Sequence, residues 1–231
     1  MQQLSSAFTV IKQAAAHWAA DWLKLTLING LWALSMVTVI LAPPAVLALT
    51  AVARDRVQRE SVTVRAYFGY LKEYFFTGWR WGLFNVVFGL IVYANFRFYD
   101  EMIAGFPLVP YAILLALVIF WISLQFMAVV YLVWQDDRHV LKALRYSLFT
   151  IGASPIFVLI LLVPVGLIGL FAIYFNGIPL VLTASFIALL SAQAVQNRLR
   201  TFGATHRGAT HGGATQPDAV EPDAVEPSVT D

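Results

Sequence analysis

The side chains able to do chemistry are few, and their longest contiguous group is Asp136-Asp137-Arg138-His139. Two carboxylates beside a cation and an imidazole are the raw material of general acid–base catalysis, which needs paired groups whose surroundings push their pKa values apart. Nothing in the flanking sequence organises them for it, and four polar residues between apolar runs read as a charged cap on a loop. His17 and His139 have no carboxylate and serine placed around them in a catalytic pattern. His206 and His211 fall in a Gly-rich tail without an organising fold, so they read as solvated rather than metal-ligating. The absence of cysteine removes thiolate metal sites, disulfides and Cys nucleophiles together. The chain has no nucleophile elbow, P-loop, HExxH or dinucleotide fingerprint. Enzymatic activity is not expected, and no catalytic, cofactor-binding or metal-binding residue and no cofactor is assigned.

The elements that must position these residues are set by composition. Of 231 residues 60% are hydrophobic and 12% charged, against about 45–50% and 25% in a soluble domain. So little charge cannot cover a water-facing surface, which excludes an ordinary soluble enzyme, a disordered protein and a nucleic-acid binder, although the sequence pI is near 8.9. The expected class is all-α: a polytopic helical membrane protein with about five transmembrane helices plus an N-terminal amphipathic helix. A spanning helix needs about 20 apolar residues. Charge-free runs place spans at about 25–53, 81–99, 106–135, 147–175 and 178–197. The last two are divided by the turn chemistry of Asn176-Gly177-Ile178-Pro179. Pro43-Pro44 reads as a kink in the first span, with a re-entrant pair of half-helices as the alternative.

Three regions follow: residues 1–22 as an amphipathic segment, 23–200 as the membrane domain, and 201–231 as a disordered low-complexity tail. Residues 1–11 lack the positive n-region of a secretory signal. In the first segment Leu4, Phe8, Ile11, Ala15, Trp18 and Trp22 recur at helical spacing, which suits a helix on the interface or against the bundle. The tail repeats Gly-Ala-Thr at 203, 208 and 213, and Pro-Asp-Ala-Val-Glu at 217 and 222.

Orientation follows the cationic loops. Residues 54–80 carry Arg54, Arg56, Arg59, Arg65, Lys72 and Arg80, and residues 136–146 carry Arg138, Lys142 and Arg145, whereas 97–105 holds one Arg. The positive-inside rule makes the basic loops and the C-terminus cytoplasmic. Five spans would then put the N-terminus outside; the re-entrant alternative puts it inside. Arg54, Arg56, Arg59, Lys72 and Arg80, interleaved with Tyr67, Tyr70, Tyr74 and Phe75, are the candidate surface for anionic lipid or a protein partner. No charged residue or His stands within the span interiors, which argues against proton-coupled transport. The candidate intramembrane polar residues are Asn29, Asn85, Asn95, Gln125 and Gln193, whose ordinary use is to join helices.

The order of several pieces resembles the YesL-like bacterial membrane proteins, a domain of unknown function. Leu41-Ala42-Pro43-Pro44-Ala45 leads into Arg54 and Arg59-Glu60. Phe68, Lys72, Tyr74 and Phe75 precede Gly78 and Gly82, and Phe96-Arg97-Phe98-Tyr99 closes the next span. Lys142-Ala143-Leu144-Arg145-Tyr146-Ser147-Leu148 then precedes Pro155. The likeness covers about residues 20–195. Asn95 stands where the family has an acidic residue, and the repeat tail is not a family feature. The resemblance implies a multi-pass protein of the bacterial cell membrane, often encoded near carbohydrate ABC-transport genes and with no established activity. An accessory role in sugar uptake, with an ABC transporter or other membrane protein as partner, is what it suggests; a small permease for a neutral solute is the alternative. It supplies no site residues.

Overall fold

The computed structural model describes residues 2–58, 60–102 and 108–211. Among them the helices are α1 (Gln2–Ala20), α2 (Trp22–Val37), α3 (Ala42–Val57), α4 (Val64–Glu73), α5 (Phe75–Met102), α6 (Leu108–Trp134), α7 (Val140–Ala153), α8 (Pro155–Tyr174) and α9 (Ile178–His211), with no strand. Four stretches are long and apolar enough to cross a membrane: Phe75–Tyr99, Leu108–Trp134, Pro155–Tyr174 and Ile178–Thr201; α2 is a shorter apolar helix. The protein is an all-helical, polytopic membrane protein. Two units divide it, Met1–Arg198 and Leu199–Asp231. In the second, α9 continues to His211, and residues 212–231 of the expected disordered tail lie outside the described residues.

The first apolar stretch is not one kinked span. Pro43 and Pro44 occupy the first turn of a new helix, α3, where no backbone N–H is needed. Between α2 and α3 the chain reverses through Val39, at φ 24°. Arg56, at the end of α3, forms an ion pair of 2.5 Å with Asp21, just before α2. The two ends of the stretch therefore meet, as in the re-entrant alternative. Ser6 in α1 also accepts a hydrogen bond of 3.2 Å from Arg198 in α9. The start of the chain thus lies at the end of the bundle where the last apolar helix finishes, which overturns the placement of the N-terminus opposite the C-terminus. The stretch 147–175 is likewise two helices, α7 and α8, because Pro155 starts a helix and cannot donate into the preceding one.

At the centre lies α3, buried on all sides: Ala45, Ala48, Ala51 and Ala53 let neighbouring helices approach, and Leu47, Leu49 and Val52 fill the gaps. On α5 a Cβ at Gly78 would stand 2.6 Å from the Pro44 backbone, and one at Gly82 would stand 2.9 Å from the Pro43 ring. The small pair thus serves a crossing within the chain. The helices α5 and α6 run antiparallel, with Phe88 stacked on Trp121 and Phe96 on Tyr111. Leu83, Leu90 and Ile91 of α5 and Leu159, Val163 and Leu170 of α8 are exposed, as lipid-facing positions should be. On α1, Ala7, Val10 and Ala14 are buried, while Leu4 and Phe8 of the expected apolar stripe point outward. Small residues face the bundle because they allow the closer approach.

Candidate functional site

Where α3, α4 and α6 end together, one ionic network joins them. Arg54 donates to the Asp55 carboxylate (3.0 and 3.2 Å) and to the carbonyl of Val133 (3.1 Å). Tyr70 donates to the other Asp55 oxygen (2.5 Å), and Tyr74 donates to Val133 (3.3 Å). That carbonyl belongs to the last turn of α6, where helical partners run out and a cation is favoured. Burial alone would lower the pKa of Arg54; its hydrogen bond and attraction to Asp55 outweigh this, and the net shift is upward. Burial and the hydrogen bond to Asp55 push the Tyr70 phenol up to about 12. Arg138 extends the network, lying over the Tyr74 ring (4.6 Å) and bonding the Glu73 carboxylate. Asp137 pairs with Lys142, which lowers the acid and raises the amine. Within the contiguous polar group at 136–139, Arg138 therefore ties the α6–α7 loop to α4, and Asp137 ties it to α7.

The expected aromatic stripe faces inward. Tyr67 and Tyr74 are fully buried and Tyr70 is half-buried, because their hydroxyls find partners in α2, α3 and α6; Tyr67 reaches Ser35 at 3.2 Å. What α4 and the start of α5 leave outside is a second stripe at the same spacing: Arg65, Phe68, Lys72, Phe76 and Arg80, all exposed. Of the candidate cations, Lys72 and Arg80 stand on this face. Arg54 and Arg56 are held in pairs below it, and Arg59 lies outside the described residues.

The five intramembrane polar residues do not gather. Asn29 donates to Leu182 (2.7 Å) and accepts from the Ser185 backbone (2.8 Å), clamping α2 to α9. Asn85 donates to Trp81 and accepts from Trp121. Asn95 donates to Ile91 of its own helix, and Gln193 donates to Gln13 of α1. Gln125 accepts from Trp81 (2.7 Å) and lines an apolar cavity of about 210 Å³.

Sequence reasoning missed two features. Arg198, near the end of α9, is buried with its guanidinium 3.6 Å from the Phe157 ring centroid. Asp55 was not singled out at all; its place between two arginines in the order Arg54-Asp55-Arg56 was the available signal.

No curated protein and no solved structure matches the chain. Residues 25–96, which carry the α2–α3 reversal, the Arg54–Asp55–Tyr70 network and the Gly78 crossing, match the family described as a protein of unknown function, DUF624, with which the YesL-like resemblance is consistent.

Proposed function

We propose that this is a non-enzymatic accessory or scaffold protein of the bacterial cell membrane, associated with carbohydrate uptake, with its C-terminus and its 54–80 and 136–146 segments cytoplasmic. Its partner is an ABC transporter or another membrane protein, held beside the anionic leaflet. The observation that carries this reading is the exposed Arg65, Phe68 and Lys72 of α4, continued by Phe76 and Arg80 at the first turns of the span Phe75–Tyr99, beside the Arg54 network. Exposed aromatics among cations suit a docking surface or a lipid headgroup layer. The hydrogen-bonded asparagines support a structural rather than a conducting use of the spans.

Affinity capture from native membranes tests it. A membrane protein enriched with wild type and lost with the Lys72→Glu/Arg80→Glu variant is expected, with thermal stability unchanged. An identical set of captured proteins from both would count against docking at this face. Deleting the protein should also slow sugar uptake. The alternative, a small permease for a neutral solute, is favoured only by the cavity at Gln125; flux of a sugar panel in proteoliposomes above empty vesicles would establish it.

A further inference from the structure

The helix α7 joins two spans without being one. The 20 residues of α8 cover about 30 Å by themselves, the thickness of the hydrocarbon layer. Ser154, at φ −149° and ψ 61°, breaks the helical path between α7 and α8. The start of α7 is held by Asp137, in the loop after α6, through Lys142. Near its end, Thr150 meets Tyr131 in the last turn of α6 at 2.7 Å. Arg198, in the last turn of the final apolar stretch, lies over Phe157 in the first turn of α8. Both ends of α7 are thus level with the ends of the spans, and the helix runs along the membrane boundary.

Its two faces are sharply divided. Val140, Ala143, Ser147 and Thr150 are buried against the bundle. On the opposite side Leu141, Leu148 and Phe149 expose 68%, 53% and 66% of their surface, and helical spacing sets Arg145 at the centre of that face. The neighbouring cations are already used, Lys142 on Asp137 and Arg138 on Glu73. Arg145 is exposed, and among the described residues it has neither a hydrogen bond nor an ion pair. Water would leave three large apolar side chains uncovered on one face, and hydrocarbon would leave a cation without a counter-charge. A phospholipid meets both needs, with acyl carbon for the apolar residues and a phosphate for the guanidinium. We infer that the outer face of α7 is a binding surface for an anionic phospholipid, its phosphate on Arg145 and its upper acyl carbons against Leu141, Leu148 and Phe149. This surface is separate from the α4 face and binds lipid whether or not a protein docks there.

The test titrates the delipidated full chain in detergent with phosphatidylglycerol or with phosphatidylcholine of the same acyl chains, bound lipid being counted by native mass spectrometry. The preference for phosphatidylglycerol should fall about fivefold in Arg145→Gln, as for one cation at an anionic surface. Arg145→Lys should keep part of it, and Lys12→Gln, which removes an exposed cation from α1, should match wild type. The native chain has no Cys, so depth can be read from single-cysteine fluorophores in nanodiscs. At position 148 the label should be quenched by a spin label on a shallow acyl carbon and protected from aqueous iodide; at position 136 it should be open to iodide. An unchanged preference in Arg145→Gln, an equal loss in Lys12→Gln, or equal iodide access at 148 and 136 would overturn the inference. In cells, a photo-crosslinking amino acid at position 149 should form lipid adducts; a discrete protein adduct would assign the face to a protein and overturn it likewise. If Arg145→Gln fails to fold, Arg145→Lys and the label at 148 decide.

Discussion

Asp55 is the residue on which the network at the ends of α3, α4 and α6 turns. Its side chain is 8% exposed, and both oxygens are occupied, one by Arg54 and one by Tyr70. Asp55→Asn keeps the shape but leaves Arg54 short of a counter-charge; thermal unfolding in detergent should show a loss of about 2 kcal/mol, discounted from a fully buried pair because Arg54 is partly exposed. Tyr70→Phe should cost about 1 kcal/mol. The phenol also has a pH signature. Its pKa rises from 10 in the unfolded chain to about 12 on folding, so its contribution is complete below pH 10 and is lost as pH climbs toward 12. A phenolate absorbance titration of wild type minus Tyr70→Phe should show one transition near pH 12; a difference centred on pH 10 would contradict the buried hydrogen bond.

Between elements, the α3–α5 crossing is a close joint. Gly78→Ala sets a methyl against the Pro44 backbone, which cannot swing away, and should destabilise by about 1–3 kcal/mol. Gly89→Ala, on the same helix with nothing within 4 Å, is the control and should be neutral or slightly stabilising. Equal effects at both positions would show that the crossing is not close. The helices themselves were legible, because charge-free runs and prolines act locally: Pro43-Pro44 and Pro155 each start a helix by lacking an N–H. Which stripe of α4 faces inward was not legible. Tyr67, Tyr70 and Tyr74 have the same spacing as Arg65, Phe68, Lys72 and Phe76, and only the positions of Ser35, Asp55 and Val133, distant in sequence, decide between them. The role of Arg54 was hidden for the same reason: adjacent residues on a helix do not ordinarily face one another, and it is the Val133 carbonyl that draws this side chain into place.

Across the whole molecule the few charges are unevenly spread. Residues 1–200 hold fourteen Lys and Arg against eight Asp and Glu, a net of +6, while 201–231 hold one against five, a net of −4. Because Asp21 meets Arg56 and Ser6 meets Arg198, the chain starts on the side where its last apolar helix ends. The native chain has no Cys, so single cysteines at positions 3 and 200 should both react with a membrane-impermeant maleimide from the cytoplasmic face. The proposed docking surface is the exposed set Arg65, Phe68, Lys72, Phe76 and Arg80. A photo-crosslinking amino acid at position 68 or 72, compared with position 163 on the exposed side of α8, tests it in living cells. Discrete adducts to one membrane protein from 68 and 72, absent from 163, are predicted. No protein adduct at 68 and 72, or the same adduct from all three positions, would contradict it.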